Sequence, residues 1–463
     1  MLAFLGVYLV ALTIVILVVI VRDAQSERCP LFSTRNFFLL GIINFQTISG
    51  ALTCFTGESE RGAFLSDFTF PAAAFCVIIT VFIAAFLYCY RKEGFVARIA
   101  DRSWCQRVST KTSLSIAGVV MVAIGITLRF IAGGVPWVGV LLPQMAAGCL
   151  CAGVGLVAIA WVRSSFNPLT ALLLFGALAA SSAALLIDAF GRREILGLCF
   201  AVAWALYFEK WRTMAVPKLV LRIAIAFVLT LIPFLVFSAA RTSGGEKRTL
   251  AEQVQGMMQI DAFAVDEVAM QALSGQFAGG ISMWIYHTRP SAFPIDPLHS
   301  LVYFVTLPIP RDLWPGKPEG LGLTVVHQAA VSGVSAIHSW GPGLVGHIWN
   351  DFVYLSLPIY AFLLAGMCRY MDQRMIGATR DPLTVVLFGS ALGQLLGMPR
   401  GDLGLFVFNM LAAYLGVWIF IRLGVGLFLP KDRTEYVEDD ESDEQFDDTD
   451  DGESPIDDVR STA

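Results

Sequence analysis

The chain has 463 residues, 56% hydrophobic and 15% charged, with a mean hydropathy of +0.68. Soluble domains carry about 25% charged residues, so this composition excludes an ordinary soluble protein, and nothing in it points to a nucleic-acid partner. The net charge of −5 hides two regions: from Lys431 onward there are fifteen acids and three bases, which leaves 22 acids and 29 bases, or +7, on the rest.

A bilayer crossing takes about 20 mostly apolar residues. Windows that meet or approach this length fall at 2–21, 37–55, 69–90, 113–132, 137–162, 168–188, 194–209, 219–240, 351–367, 382–398 and 403–428. They predict an all-α polytopic membrane protein of about eleven transmembrane helices with one large external loop. Four regions follow: an N-terminal transmembrane bundle of about eight helices (1–240), the loop (241–349), C-terminal transmembrane helices (350–428) and a disordered acidic tail (429–463). The first window is too long for a signal peptide and has no basic n-region, so a retained helix is expected. The seventh window is the weakest.

Orientation comes from the connections. The 91–111 segment carries Arg91, Lys92, Arg98, Arg102, Arg107 and Lys111, and short loops this basic stay cytoplasmic. Counting from it keeps Arg22, Arg28 and Arg35 inside, with Arg163, Lys210, Arg212, Lys218, Arg369, Arg374 and Arg380. The acidic connection with Glu58, Glu60 and Asp67 falls outside. The expected topology has an external N-terminus and a cytoplasmic C-terminus.

Five arginines break the pattern. Arg192, Arg193, Arg241, Arg311 and Arg400 all count to the external side, where cationic loops are disfavoured. An anionic partner there would account for them; snorkelling to the interface is the structural alternative. Arg129, near the outer end of the fourth window, is a further candidate.

Within the external loop, 250–273 reads as an amphipathic helix at the membrane surface or over a cavity. Pro290, Pro294, Pro297, Pro308, Pro310, Pro315 and Pro318 then rule out a long helix and favour a folded, irregular stretch. The most specific segment is Pro308-Ile-Pro-Arg-Asp-Leu-Trp-Pro-Gly-Lys-Pro-Glu-Gly-Leu-Gly322. Its prolines stiffen the backbone around Arg311 and Lys317. Arginine's planar fork suits phosphate oxygens, whereas an Arg311–Asp312 or Lys317–Glu319 surface pair would contribute little.

All five histidines, His287, His299, His327, His338 and His347, fall in the same loop. Histidine transfers protons near neutral pH, and a polar loop also collects polar residues without chemistry. His338 and His347 flank Ser339-Trp-Gly-Pro-Gly beside the next helix and are the stronger candidates. The nine cysteines show no disulfide framework or zinc spacing, so no metal is expected. A phosphate-binding Gly-x-x-x-x-Gly-Lys-[Ser/Thr] loop is missing, and mid-span carboxylates of the kind that couple ion transport are scarce.

Ile309-Pro-Arg-Asp-Leu-Trp-Pro-Gly-Lys-Pro, with Gly191-Arg-Arg and Arg400-Gly-Asp-Leu, resembles the oligosaccharide repeat-unit polymerases (O-antigen polymerase, Wzy-like). The layout is similar too, and Arg311 to Gly322 fits an Arg-x10-Gly pattern. Where family members often carry Gly-Glu-x-Tyr-x-Asn-Phe-Gly, this chain reads Gly346-His-Ile-Trp-Asn-Asp-Phe-Val, so His347 stands in place of an acid. The resemblance implies a GT-C-like glycosyltransferase in the bacterial inner membrane with a periplasmic site and no cofactor. It would join undecaprenyl-diphosphate-linked oligosaccharides into O-antigen or exopolysaccharide, beside a flippase and a chain-length regulator. Arg193, Arg311 and Arg400 would bind the diphosphate with Arg241 and Lys317 assisting, and His338 or His347 would be the base. Trp284, Tyr286, Trp314, Trp340 and Trp349 would stack on sugars or anchor the interface. The alternatives are a ligase of the same architecture and a non-enzymatic transporter or flippase of lipid-linked glycans.

The tail cannot bury apolar surface. Deleting residues 432–463 is therefore expected to leave polymer length unchanged on a glycan gel, and complete loss of polymer would give the tail a role in activity.

Overall fold

The computed structural model describes residues 1–57, 69–92, 109–132, 141–186, 192–214, 277–331, 340–377 and 381–424, together with 96, 99, 218, 219 and 221–223. Every regular element among them is a helix. Eight helices are long and apolar enough to cross a membrane: α1 (Leu2–Gln25), α2 (Thr34–Thr56), α3 (Thr69–Arg91), α4 (Lys111–Ala132), α5 (Leu141–Arg163), α6 (Pro168–Leu186), and two further on, α12 (Val353–Gly377) and α15 (Leu403–Leu423). The chain is a multi-pass membrane protein.

Two expected windows are irregular among the described residues. The seventh is helical as α7 (Arg192–Leu206) but passes into a π-turn at Tyr207–Trp211. The tenth is broken into α13 (Pro382–Gly389) and α14 (Leu392–Gly397). At the break, the Ser390 hydroxyl donates back to Leu387 O (2.7 Å), a local bond that competes with the helix ladder. The eighth window, the 250–273 amphipathic segment and the acidic tail lie outside the described residues, apart from a few positions of the eighth.

Burial separates the helices. In the apolar window of α5, 89% of residues are buried, against 28% for α1 and α6. So α5 is a central pillar, and the other two face lipid. Apolar side chains gain little by leaving lipid for protein, so close backbone approach through small residues drives such packing. A Cβ added to Gly118 of α4 would lie 2.8 Å from Gly153 O, and one added to Gly153 of α5 would lie 2.8 Å from Gly118 O.

One end of the bundle is held by a buried polar cluster. Asp372 of α12 accepts from Thr34 N (2.6 Å), Thr34 Oγ1 (2.8 Å), Arg35 N (3.2 Å) and Tyr90 Oη (2.9 Å). It thereby supplies acceptors to the first turn of α2, whose free amides need them. Arg35, also buried, pairs with Asp23 at 2.6 Å. The ends of α1, α3 and α12 meet the start of α2 here, and these are four ends that the charge count assigns to one side. Elsewhere, Arg163 at the end of α5 grips Glu209 through Nε (2.6 Å) and Nη2 (3.1 Å).

The loop expected between 241 and 349 holds four short helices in its described part: α8 (Ala278–Thr288), α9 (His299–Thr306), α10 (Leu321–Val331) and α11 (Gly343–Asn350). Of these, α9 packs against α15, where a Cβ on Gly404 would lie 2.7 Å from Ser300 O, and α8 and α11 pack into the bundle. Gly279 N donates to Ser49 Oγ of α2 (3.0 Å), and a Cβ on Gly279 would meet Gly50 N at 2.5 Å. Both are apolar but far shorter than a spanning window, so hydropathy alone assigned them to an external loop.

Removing a buried carboxylate that serves four donors strands them in an apolar setting. Asp372→Ala should cost about 3 kcal/mol, read as a lower melting temperature of the detergent-purified protein by tryptophan fluorescence. An unchanged midpoint would show that the cluster does not hold this end together.

Candidate functional site

Two irregular helices face each other inside the bundle. Over Ile43–Ile48, α2 widens into a π-turn, a distortion common at functional sites. Gln46, about 18 Å along the helix from its start at 1.5 Å per residue, donates from Nε2 to Pro399 O (2.6 Å). Its Oε1 is buried without a hydrogen-bond partner. Opposite it, residues 398–402 form the turn between α14 and α15. Non-helical backbone buried this way must be satisfied by protein. Gly343 N donates to Arg400 O (2.9 Å), Leu344 N to Pro399 O (2.9 Å), and Leu403 N to His347 Nε2 (3.2 Å).

The Arg311–Gly322 loop closes the other side of this turn. Asp402 Oδ1 accepts from Gly322 N (3.0 Å). A Cβ on Gly320 would lie 2.6 Å from Asp402 Oδ2, and one on Gly322 would strike Trp340 O. Only glycine at both positions lets the loop come this close. Three sequence-distant pieces (the loop, α11 and the 398–402 turn) are thus one structure.

His347 sits at their junction with a side chain 1% exposed. Nδ1 lies 2.6 Å from Ser300 Oγ, and Leu403 N lies 3.2 Å from Nε2. Nε2 is also 3.2 Å from Gly401 O and 3.6 Å from Asp402 Oδ1. Burial pushes the imidazole below its ordinary value, while Asp402 and Asp351 pull it up. Asp402 moves the opposite way: burial raises its carboxyl, with His347 and the Gly322 and Leu321 amides holding it down. Its side chain is 13% exposed, against 1% for the histidine.

Behind His347 the polar chain continues. Ser300 N donates to Asp351 Oδ2 (3.0 Å), Asn350 Nδ2 to Asp351 Oδ1 (2.9 Å), and the Tyr360 hydroxyl to Asp351 Oδ2. Next to it, His299 holds Asp296 through Nδ1 (2.6 Å) and Glu319 O through Nε2 (2.8 Å). Each of these groups is satisfied, so the network fixes α9, α11 and α12 relative to one another.

The expected cations divide. Arg311 is half exposed (49%), with Nη1 3.4 Å from Lys317 O and Nη2 3.9 Å from Glu319 Oε1; its partner is Glu319 rather than the neighbouring Asp312. Lys317 points inward. Its Nζ donates to Leu307 O and Ile309 O, both at 2.9 Å, and burial with Arg311 nearby lowers its pKa. It fastens the proline loop instead of facing outward. Arg400 lies against Gly341, where an added Cβ would meet its Cγ at 3.3 Å. Arg193 is in the first turn of α7, but its side chain is outside what the structure describes. Arg241 and His338 lie outside the described residues. His287 and His327 are exposed, the latter 3.4 Å from Glu319 Oε2. Trp284 and Trp340 are buried edge-to-face at 6.0 Å, a packing role, and Trp314 is exposed.

Asp402, Ser300 and Asp351 did not stand out in the sequence. Their signals were faint: adjacency to Arg400, to His299, and to the Gly346-His-Ile-Trp-Asn run. A buried arginine, Arg289, was also missed. Its Nη2 donates to Gln328 Oε1 (2.7 Å), and burial pushes it down to about 10 against the pull of Asp351 and Asp296. No group of three or more metal-ligating side chains occurs among the described residues. No protein-family model, curated protein or solved structure matches the chain.

A histidine kept neutral by burial contributes stability above the unfolded value near 6.5, and that contribution is lost as pH falls below it. The raised Asp402 has the opposite sign: its contribution grows as pH falls through its folded value toward 3.8. The buried histidine thus lowers stability as pH falls below about 6.5, so the melting temperature should drop on acidification, and His347→Gln should flatten that drop. Parallel curves for the two proteins would mean that the buried imidazole does not titrate against folding.

Proposed function

We propose that the chain is a membrane glycosyltransferase acting on oligosaccharides linked to a lipid diphosphate, of the repeat-unit polymerase type. Lipid-linked repeat units, with undecaprenyl diphosphate as the carrier, are the substrates, and the reaction takes place at the periplasmic face of the inner membrane. One observation carries this reading: Arg311, Arg400, Asp402 and His347, scattered over ninety residues of sequence, belong to one knot set into a bundle of apolar spanning helices. A carboxylate and an imidazole in contact, on a knot that also takes in the backbone of Arg400 and the loop that carries Arg311, support transfer from a lipid diphosphate.

The chemistry is an attack of an acceptor hydroxyl on the anomeric carbon. The C–O bond to the diphosphate breaks, and negative charge grows on the leaving lipid diphosphate. Fixed guanidinium groups stabilise that charge more in the transition state than in the ground state. One such donor is worth roughly 3–4 kcal/mol. Arg311 is the exposed cation of the loop, and Arg400 lies in the buried turn; Arg193 and Arg241 are further members of the set. Lys317 serves by holding Arg311's loop rigid.

An Arg311→Ala, Arg400→Ala double variant should insert normally and yield no long polymer. Normal chain-length ladders from it would refute the diphosphate role. Cells lacking the protein should accumulate single lipid-linked repeat units. Accumulated long lipid-linked polymer would indicate a ligase instead, and failure of the purified protein to lengthen lipid-linked oligosaccharide would favour a transporter.

A further inference from the structure

We infer that α9 and the turn that follows it form a membrane-contact surface, with Val302, Val305, Ile309 and Leu313 set among the acyl chains at the edge of the hydrocarbon layer. The inference goes beyond the glycosyltransferase reading and does not rest on it. It gives to lipid a stretch that hydropathy assigns to an aqueous loop.

The pattern of side chains is the first reason. Residues 299–310 contain no Asp, Glu, Lys or Arg. On α9, His299, Ser300 and Thr306 are buried, while Val302 and Val305 are exposed, as are Ile309, Leu313 and Trp314 beyond it. The polar side of this helix faces the protein and its apolar side faces out, the reverse of a surface helix in water. An exposed apolar patch of this kind marks contact with a membrane or with another protein.

The position of α9 on α15 decides between the two. Gly404, Leu411, Leu415 and Trp418 recur at helical spacing on one face of α15, and the last three are exposed. On a spanning helix such a stripe faces lipid. Across its first turn lies α9: a Cβ on Gly404 would be 2.7 Å from Ser300 O and 3.2 Å from Phe304 Cβ. The outer side of α9 therefore continues the lipid-facing stripe. The 21 residues of α15 rise about 31 Å, close to the thickness of the hydrocarbon core, so its first turn stands at the boundary with the headgroups. An interfacial helix buries its apolar face at that level.

The backbone is prepared for such a place, where an unpaired polar group is costly. From 307 to 310 no amide is left without a partner: Leu307 N donates to Tyr303 O and Ile309 N to Thr306 O, both at 3.0 Å, and Pro308 and Pro310 have no N–H. Lys317 Nζ takes the carbonyls of Leu307 and Ile309. Arg311, the first charged residue after the apolar stretch, then falls at the level of the lipid phosphates, with its guanidinium half exposed.

The test uses full-length protein in vesicles of phosphatidylethanolamine and phosphatidylglycerol. Val305 and Leu313 are 69% and 60% exposed, so Val305→Cys and Leu313→Cys leave the packing intact. Each is labelled with a nitroxide, and the signal of identically treated wild type is subtracted to remove the native cysteines. Collision rates are compared for oxygen, which concentrates in lipid, and for a water-soluble nickel chelate. The ratio of oxygen to nickel collisions should exceed one at both positions. A ratio below one at either puts the segment in water and overturns the inference. Low rates with both reagents mean that another protein, or a second copy of this chain, covers the face, which overturns it equally. Should the labelled proteins not stay monodisperse, Trp314→Phe decides. It should lose a component of tryptophan emission that brominated acyl chains quench and aqueous iodide does not; loss of an iodide-quenched component sinks the idea.

Discussion

A buried backbone that leaves the helix must find a partner for every amide and carbonyl it frees, because an unpaired buried polar group is costly. The 398–402 turn is such a place, and much of the site is arranged to meet that demand. Gln46, Gly343, Leu344 and His347 each answer one of its groups. The π-turn in α2 aims Gln46, the insertion of α8 and α11 brings up the two amides and the imidazole, and the broken tenth span creates the need. Side chains with chemical potential were therefore drawn together by a requirement of folding before any requirement of reactivity.

The same constraint explains the division of labour among cations. Lys317 is surrounded by carbonyls that the proline-rich loop cannot use in a helix or sheet, and its ammonium satisfies two of them. Arg311, six residues earlier, is left outward-facing because the loop is already closed. Rigidity and availability thus come from different residues of one motif. The prolines limit the backbone, the lysine locks it, and the arginine is presented.

Much of the bundle was legible in the sequence, because a twenty-residue apolar run has few other solutions in water or lipid. The bounds of α1, α3 and α4 agree with their hydropathy windows to within a few residues. The failures share a physical cause. Segments such as α8 and α11 are buried by their neighbours rather than by lipid, so they need no spanning length, and a window tuned to spanning length passes over them. The break between α13 and α14 depends on one hydroxyl choosing Leu387 O, which hydropathy cannot register. At the site, Arg311, Arg400 and His347 were visible as residue types that a membrane protein uses sparingly. Asp402 was not, since a carboxylate next to an arginine reads as a surface pair until Gly322 is seen donating to it.

The burial of α5 bears on how the molecule can move. Its Gly148 lies against the backbone of Ala413, and Gly416 of α15 against Met145, so closely that an added methyl would meet main-chain atoms within 3 Å. A rocking carrier needs a seam along which an early group of helices can slide past a late one. Here the early pillar and α15 interlock backbone to backbone at these two glycines. A body pinned in this way resists sliding of α5 along α15.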